Sequence, residues 1–475
     1  MTPKTKARQT RARAQGYTRK LATFLHALKY SDLGSAEVST AKRLLLDFVG
    51  YAAASARERP SEILRDLAAE LGGRREATVI GSRHKTNCLW ASLINGCMGH
   101  MTELDDTHLG TSSHIGDGVF PAALAIGEKC RVDGKTVLAA VVAGYECGLR
   151  AGYSVMRDHY DKGWHPSGTL NPFAAATTAG KILRLEGEAF MHALGLAGTQ
   201  AAGNFAHLGI RGMAKDLNPG KGASNGVLSA LLAKEGFTGS LDIFENSRGF
   251  IRLYSDSPHP ERLIRRLGAP YLIGEVAQKI YPGCYHAHSA REATLKLVGQ
   301  HCLEPDRIRL ITARIFATGA GLVDDPQPWK GGKGLHGPRF SAQFQLALAV
   351  CEGEEGLWSS YDERFVLEKL NDRKIRRMMR KIRVIHDRDL DGLWPKATPA
   401  VVEIETASGE RFSKRILLPK GEPQNPLTQQ ETERKFDLCT ARVFSQRRRA
   451  AIISGIRKFE EFEDVSAFTR LLRAQ

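Results

Sequence analysis

The stretch NGCMGHMTELDDTHLGTSSHIGDG, residues 95–118, decides how the rest of this chain is read. It gathers His100, Glu103, Asp105, Asp106, His108, His114 and Asp117 between glycine-bearing turns, and no other segment concentrates as many acid/base groups. LWASLI runs into it and VFPAALAIGE leaves it, and both read as apolar helices. The stretch is therefore expected to be a loop held between helix ends, a common place for functional side chains.

Outward from it the pattern is helical. STAKRLLLDFVGYAAASA (39–56) takes Ser39 or Thr40 as its N-cap, and SEILRDLAAEL (61–71) takes Ser61. Downstream come PAALAIGEKCR, KTVLAAVVAGYECGLRAGYSV, NPFAAATTAGKILRL, EGEAFMHALGLAGTQAAG and ASNGVLSALLAKEGF, rich in Ala and Gly on their packing faces. Strands and helices do not alternate here, so a doubly wound sheet is not expected. The pattern changes near residue 269. RIRLITARI (307–315) and KIRVIHDRDL (381–390) alternate like strands, and AVVEIETASGERFSKRILL (400–418) reads as a hairpin around Ser408-Gly409. From about 425 helices return. The expected fold is mainly α: a basic, disordered tail over 1–19, a large helical domain over 20–268, a smaller inserted α+β domain over 269–420, and helices over 421–475 that pack back on the first domain.

At 475 residues, 42% hydrophobic and 25% charged, the composition is that of a globular protein. No apolar run reaches the roughly 18 residues of a membrane-spanning helix. Net charge is +16, of which seven basic residues lie in the first twenty, a segment without acids. The remaining excess, about +9, and the basic stretch DRKIRRMMRKIR come with no helix-turn-helix, zinc-finger or aromatic RNA-binding signature. Nucleic acid is thus not an expected partner, whereas steering of an anionic small molecule suits the charge. The tail also has the composition of a transit peptide, so a cytoplasmic location is expected, or an organellar matrix if the tail is cleaved. Eight scattered cysteines without a CxxC pair speak for a reducing compartment, against structural zinc and against a disulfide framework.

Five stretches could carry chemistry. His108 and His114 beside Asp105 and Asp106 offer proton transfer near neutral pH. The plainer reading is a helix cap with incidental histidines, and a metal site lacks a defensible ligand spacing. In GWHPSGTLNP (163–172), His165 precedes a helix start where Ser167, Thr169 and backbone amides could hold a carboxylate, or simply form a capping turn. AKDLNPGKGASNG (214–226) presents Lys215 and Lys221 in a glycine-bearing loop ahead of a helix, as an anion site or as solvated surface. QKIYPGCYHAHSA (278–290) brings Lys279, Tyr281, Tyr285, His286 and His288, and HGPRFSAQFQ (336–345) an Arg339 able to grip a carboxylate with two N–H groups. The nucleotide-binding patterns GxGxxG and GxxxxGK[ST] are absent.

Taken together, LLLDFVGYAAASA, NGCMGHMTELDDTH, HPSGTLNPFAAATTAGKILRL, HALGLAGTQAAG, AKDLNPGKGASNGVLSALLAKEGFTG, KIYPGCYHAHSA and DVSAFTRLL, in this order, resemble the MmgE/PrpD family over about residues 20–470. That family includes 2-methylcitrate dehydratase, cis-aconitate decarboxylase and iminodisuccinate epimerase. The resemblance implies a helical domain with an α+β lid, an active site between them, and a homodimer that uses no cofactor or metal. It places the family's functional positions on Glu103, His114, His165, Lys215 and Lys279. Glu103 stands where the family usually has Asp. HIGDG (114–118) replaces the common HPG or HPS, which brings Asp117 near the presumed site, unfavourable beside a tricarboxylate unless paired.

The family reactions share proton movement at a carbon next to a carboxylate. The expected catalytic groups are His114, His165, Lys215, Lys279 and Asp105, with Glu103, Asp106, His108, Ser167, Lys221, Tyr281 and Arg339 binding substrate. A 2-methylcitrate dehydratase-like hydro-lyase acting on a small di- or tricarboxylate is favoured. The alternatives are a cis-aconitate-type decarboxylase, an epimerase or isomerase, and a non-catalytic binder of an anionic metabolite.

Overall fold

The computed structural model describes residues 16–209, 212–268, 270–330 and 336–474; the expected tail lies almost wholly outside these. Two hydrophobic cores organise the described chain. The first draws its buried side chains from Tyr17 to Val276 and again from Phe436 to Leu472. The second draws them from Tyr281 to Ile416. The C-terminal helices Gln429–Thr440 and Gln446–Arg457 thus pack on the first core, the former against the helix Ser35–Ala54.

Around the first core the helices Cys88–Met101, Gly116–Cys130, Gly134–Val155, Asn171–Ile182 and Ala214–Lys234 lie against one another. Asn87 caps the first through a bond from Trp90 N (3.0 Å), and Asp133 caps the third through Thr136 N (2.8 Å). Two expected caps are misplaced. Ser35–Ala54 begins after Gly34, so Ser39 and Thr40 are interior, and Arg59–Leu71 begins two residues before the expected cap Ser61, with Pro60 in its first turn. Ser61 instead donates to Ser55 O (2.7 Å).

A larger difference concerns residues 214–226, expected as a loop and found as the first half of the helix Ala214–Lys234. The glycines there serve packing. A Cβ on Gly220 would stand 2.3 Å from Cys97 Sγ and 2.4 Å from Leu93 O, and one on Gly226 2.5 Å from Ala175 Cβ. Close approach of three helices outweighs the ~1 kcal/mol that each helical glycine costs.

The second core carries a four-stranded sheet in the order Ile382–His386, Ile308–Ile315, Ala400–Thr406, Arg411–Ile416, the first pair parallel and the others antiparallel. Val402 and Ile404 point inward from one strand and Ile311, Ala313 and Ile315 from its neighbour, against the helix His288–His301. The hairpin turns at Gly409, where φ is +90°. The strand expected over 381–390 stops at His386 and a helical turn, Arg388–Asp391, follows. Among the described residues no helix is long and apolar enough to cross a membrane.

Candidate active site

Where the cores meet, a pocket of about 640 Å³, its open mouth included, is walled on one side by Glu103, Thr107, His114, His165 and Lys215. On the other side stand Lys279, Cys284, Tyr285, His286, Phe340 and Trp394.

Local structure explains the convergence. The helix Cys88–Met101 runs further into the 95–118 stretch than expected, so His100 sits in its last turn and the irregular segment is reduced to residues 102–115. Glu103 then takes a left-handed backbone (φ +56°), and Asp106–Thr107 pairs antiparallel with Ala277–Gln278, which sets Lys279 across from Asp105. The early helical start at Ala214 carries Lys215 to the same place.

The result is a buried, alternating array of charges. Lys215 Nζ lies 2.6 Å from Glu103 Oε1 and 2.5 Å from His100 Nε2. Lys279 Nζ lies 2.7 Å from Asp105 Oδ1 and 3.3 Å from Glu103 Oε2. Asp105 Oδ2 in turn meets His100 Nδ1 at 2.7 Å and His114 Nδ1 at 2.9 Å. Burial alone would raise both carboxyls, but Lys215 and Lys279 outweigh it at Glu103, and His114, Lys279 and His100 at Asp105, so both are held well below the usual carboxylate range. The same partners raise Lys279 against its burial. Both lysines act as fixed cations whose charge is matched by two carboxylates.

The histidines are differentiated by their partners. His114 Nδ1 also lies 2.6 Å from the carbonyl of Asp106, which can only accept, so Nδ1 carries the hydrogen and Nε2 is left for the pocket. His165 Nδ1 receives the amide of Asn218 at 2.8 Å, so the hydrogen of its neutral ring sits on Nε2. Burial, then His100 and Lys215, hold His165 well below the usual range, and it is uncharged at neutral pH. His100 is pushed down to about 4 by burial and by Lys215; it bridges Lys215 and Asp105 as a neutral ring.

Several expected substrate contacts lie elsewhere. Asp106 accepts from Gly116 N (3.1 Å) and Tyr145 OH (2.7 Å), capping the helix Gly116–Cys130, and burial raises it to about 7. His108 bonds Thr111 Oγ1 (2.8 Å) and Glu275 (3.2 Å). Lys221 donates to Ala202 O (2.8 Å), and Tyr281 packs on Trp358 in the second core. The Arg339 guanidinium, fully buried, donates to Met101 O (2.6 Å) and Tyr361 O (2.7 Å), joining the cores instead of facing the pocket. Ser167 is buried and does not line the pocket. Asp117 resolves differently. It is fully buried, 3.1 Å from His100 Nδ1, and burial beside Asp105 and Asp106 raises it well above the usual range, so it stays protonated and adds no charge.

Sequence models of the MmgE/PrpD N-terminal domain and C-terminal domain match residues 19–263 and 281–460. The chain belongs to the MmgE/PrpD family. Full-length relatives of this MmgE/PrpD chain include a cis-aconitate decarboxylase-like protein of Aspergillus oryzae, 26% identical over 486 residues, covering 96% of this chain and 97% of the relative. The cis-aconitate decarboxylase of Aspergillus terreus is 25% identical over 479 residues, with 96% of each chain covered. That of Homo sapiens is 24% identical over 472 residues, covering 96% and 94%.

His100, Asp105 and Asp117 are the one group among the described residues whose spacing could admit a metal ion. Their donor atoms are already bridged by hydrogen bonds, and a divalent cation there would face the ammonium groups on His100 and Asp105. The MmgE/PrpD site also holds groups that the sequence reading left without a role. His336 links Glu103 (3.5 Å) to Asp216 (3.0 Å), and these acids raise it against its burial. Phe205, Phe340 and Trp394 line the pocket with no local motif to announce them.

Proposed function

We propose that this protein is a cofactor-independent lyase acting on a small di- or tricarboxylate by proton delivery at a carbon next to a carboxylate, with cis-aconitate-type decarboxylation as the leading reading. The observation that carries it is the meeting of His114, His165, Lys215 and Lys279 in one pocket, the two lysines matched by Glu103 and Asp105. The names of the relatives favour decarboxylation over the hydro-lyase reading preferred from sequence.

The chemistry follows from the charges. In a cis-aconitate-type substrate the bond from the methylene to its carboxylate breaks, CO2 leaves, and the electron pair moves through the double bond onto the far carbon and its carboxylate. Lys215 and Lys279 stabilise this enediolate-like charge, preorganised and shielded from water. His114 enters the step as the imidazolium, with Nδ1–H held by the Asp106 carbonyl and the Asp105 carboxylate, gives its Nε2 proton to the far carbon and is left as the neutral Nδ1–H ring, which solvent reprotonates before the next turnover. His165, neutral with its hydrogen on Nε2, donates a hydrogen bond to a substrate oxygen. Asp105 is a positioning residue. The second core serves as the lid, and the active species is a homodimer.

The test is incubation of the purified protein with cis-aconitate, followed by proton NMR and CO2 release. Itaconate-type vinylidene signals with equimolar CO2 are expected. New vinyl signals from citrate or 2-methylcitrate would move the assignment to a hydro-lyase, and no turnover of any of these acids would overturn the lyase reading.

A further inference from the structure

We propose that Arg157 is a carboxylate anchor of this pocket, receiving a substrate carboxylate that the lysine pair does not hold. The inference rests on the carboxylate reading above and adds a binding residue to it. Arg157 lies just beyond the helix Gly134–Val155. Its guanidinium carbon is 4.7 Å from the centre of the Tyr160 ring and 4.9 Å from that of Trp394, and Nη1 donates to Ser112 Oγ at 3.3 Å. Ser112, Tyr160 and Trp394, the three residues it touches here, all line the pocket, so that Arg157 stands against the pocket wall without itself forming part of the lining.

Two features mark the group as unfinished. Nη2 is buried and has no hydrogen-bond partner among the described residues, although a buried charged donor left unpaired is costly. The one carboxylate paired with Arg157 among the described residues is Asp161, at 3.6 Å from Nε, and that side chain is 60% exposed. The pairing is a weak surface contact. Lys215 and Lys279, by contrast, are each held by a buried carboxylate. A tricarboxylate therefore brings more negative charge than the lysines have left to offset.

The setting suits a carboxylate. Two aromatic rings fix the guanidinium plane, which leaves a rigid fork of donors where a lysine would present a mobile point charge. Ser112, which holds Nη1, has a left-handed backbone (φ +48°), a strained conformation of the kind that accumulates at binding sites. Arg157 also helps burial to keep the pocket-lining His286 uncharged. The sequence MRDHYDKG around it reads as ordinary surface, which is why composition and motif gave no sign of it.

The experiment titrates tricarballylate, an unreactive saturated tricarboxylate, and succinate, with one carboxylate fewer, into the wild-type protein, Arg157→Gln and Arg157→Lys, with cis-aconitate turnover measured in parallel. Arg157→Gln is expected to weaken tricarballylate by about 10–100-fold, the loss of a charge-assisted pair, and to leave succinate almost unaffected. Arg157→Lys, which keeps the charge without the fork, should fall between and serves if the glutamine variant fails to fold. Equal losses for both acids would assign Arg157 to bridging Tyr160 and Trp394 and overturn the anchor, as would unchanged affinity or a wild type that binds neither acid. Wild-type turnover with no Arg157 effect would leave the lyase reading standing without the anchor. Arg157-dependent binding without turnover would do the reverse.

Discussion

At the scale of single residues, the array around Glu103 and Asp105 shows why chemistry-bearing residue types need their neighbours before a role can be assigned. The acids of the stretch 95–118 divide by environment. Glu103 and Asp105 are ionised by lysine and histidine partners, Asp117 is protonated by burial, and Asp106 caps a helix. None of this is legible in sequence, because the deciding partners, Lys215, Lys279 and Tyr145, lie far along the chain. Asp106 gives a testable sign. Its carboxyl is raised from 3.8 to about 7 by burial, so the folded state holds the proton more tightly than the unfolded one. The stability this contributes is full below pH 3.8 and is lost as pH rises towards 7. An Asp106→Asn side chain does not titrate and can still accept from Gly116 N. The melting temperature of the variant relative to wild type should therefore climb between pH 4 and pH 7, and a difference constant across that range would refute the assignment.

At the scale of elements, periodicity located most helices and the hairpin, because each buries one face in the expected period. It misread residues 214–226, where Pro219, Gly220 and Gly222 imitate a loop. Their reason is a neighbour: the helix Ala214–Lys234 crosses Cys88–Met101 so closely that Cys97 Sγ occupies the space of a Gly220 side chain. That contact also fixes the turn bearing Lys215 against the turn bearing His100, whose side chains meet at 2.5 Å. Gly220→Ala should lower stability by about 1–3 kcal/mol through overpacking and reduce turnover by displacing Lys215. Calorimetry and steady-state kinetics check both, and a stable variant of full activity would show that the helices can separate without harm.

At the scale of the whole molecule, two cores meet at one pocket and the returning C-terminal helices tie them to it. Lys435, buried in Gln429–Thr440, pairs with Asp47 (2.7 Å) and donates to the carbonyls of Leu104 (2.8 Å) and Lys279 (2.6 Å). The backbone on both sides of the charge array is thereby held from a third direction. The composition change near 269 and the helices after 425 were legible in the sequence, whereas the pocket itself was not, since Phe205, Phe340 and Trp394 reach it only through tertiary structure. The most direct measurement of proton delivery by this pocket is turnover of cis-aconitate in D2O by wild type and His114→Gln, followed by NMR. Wild type should place one deuterium on the carbon next to the retained carboxylate, and His114→Gln, with an unchanged melting temperature, should lose about 10²–10⁴-fold in rate. A His114→Gln protein that turns over at the wild-type rate would contradict it.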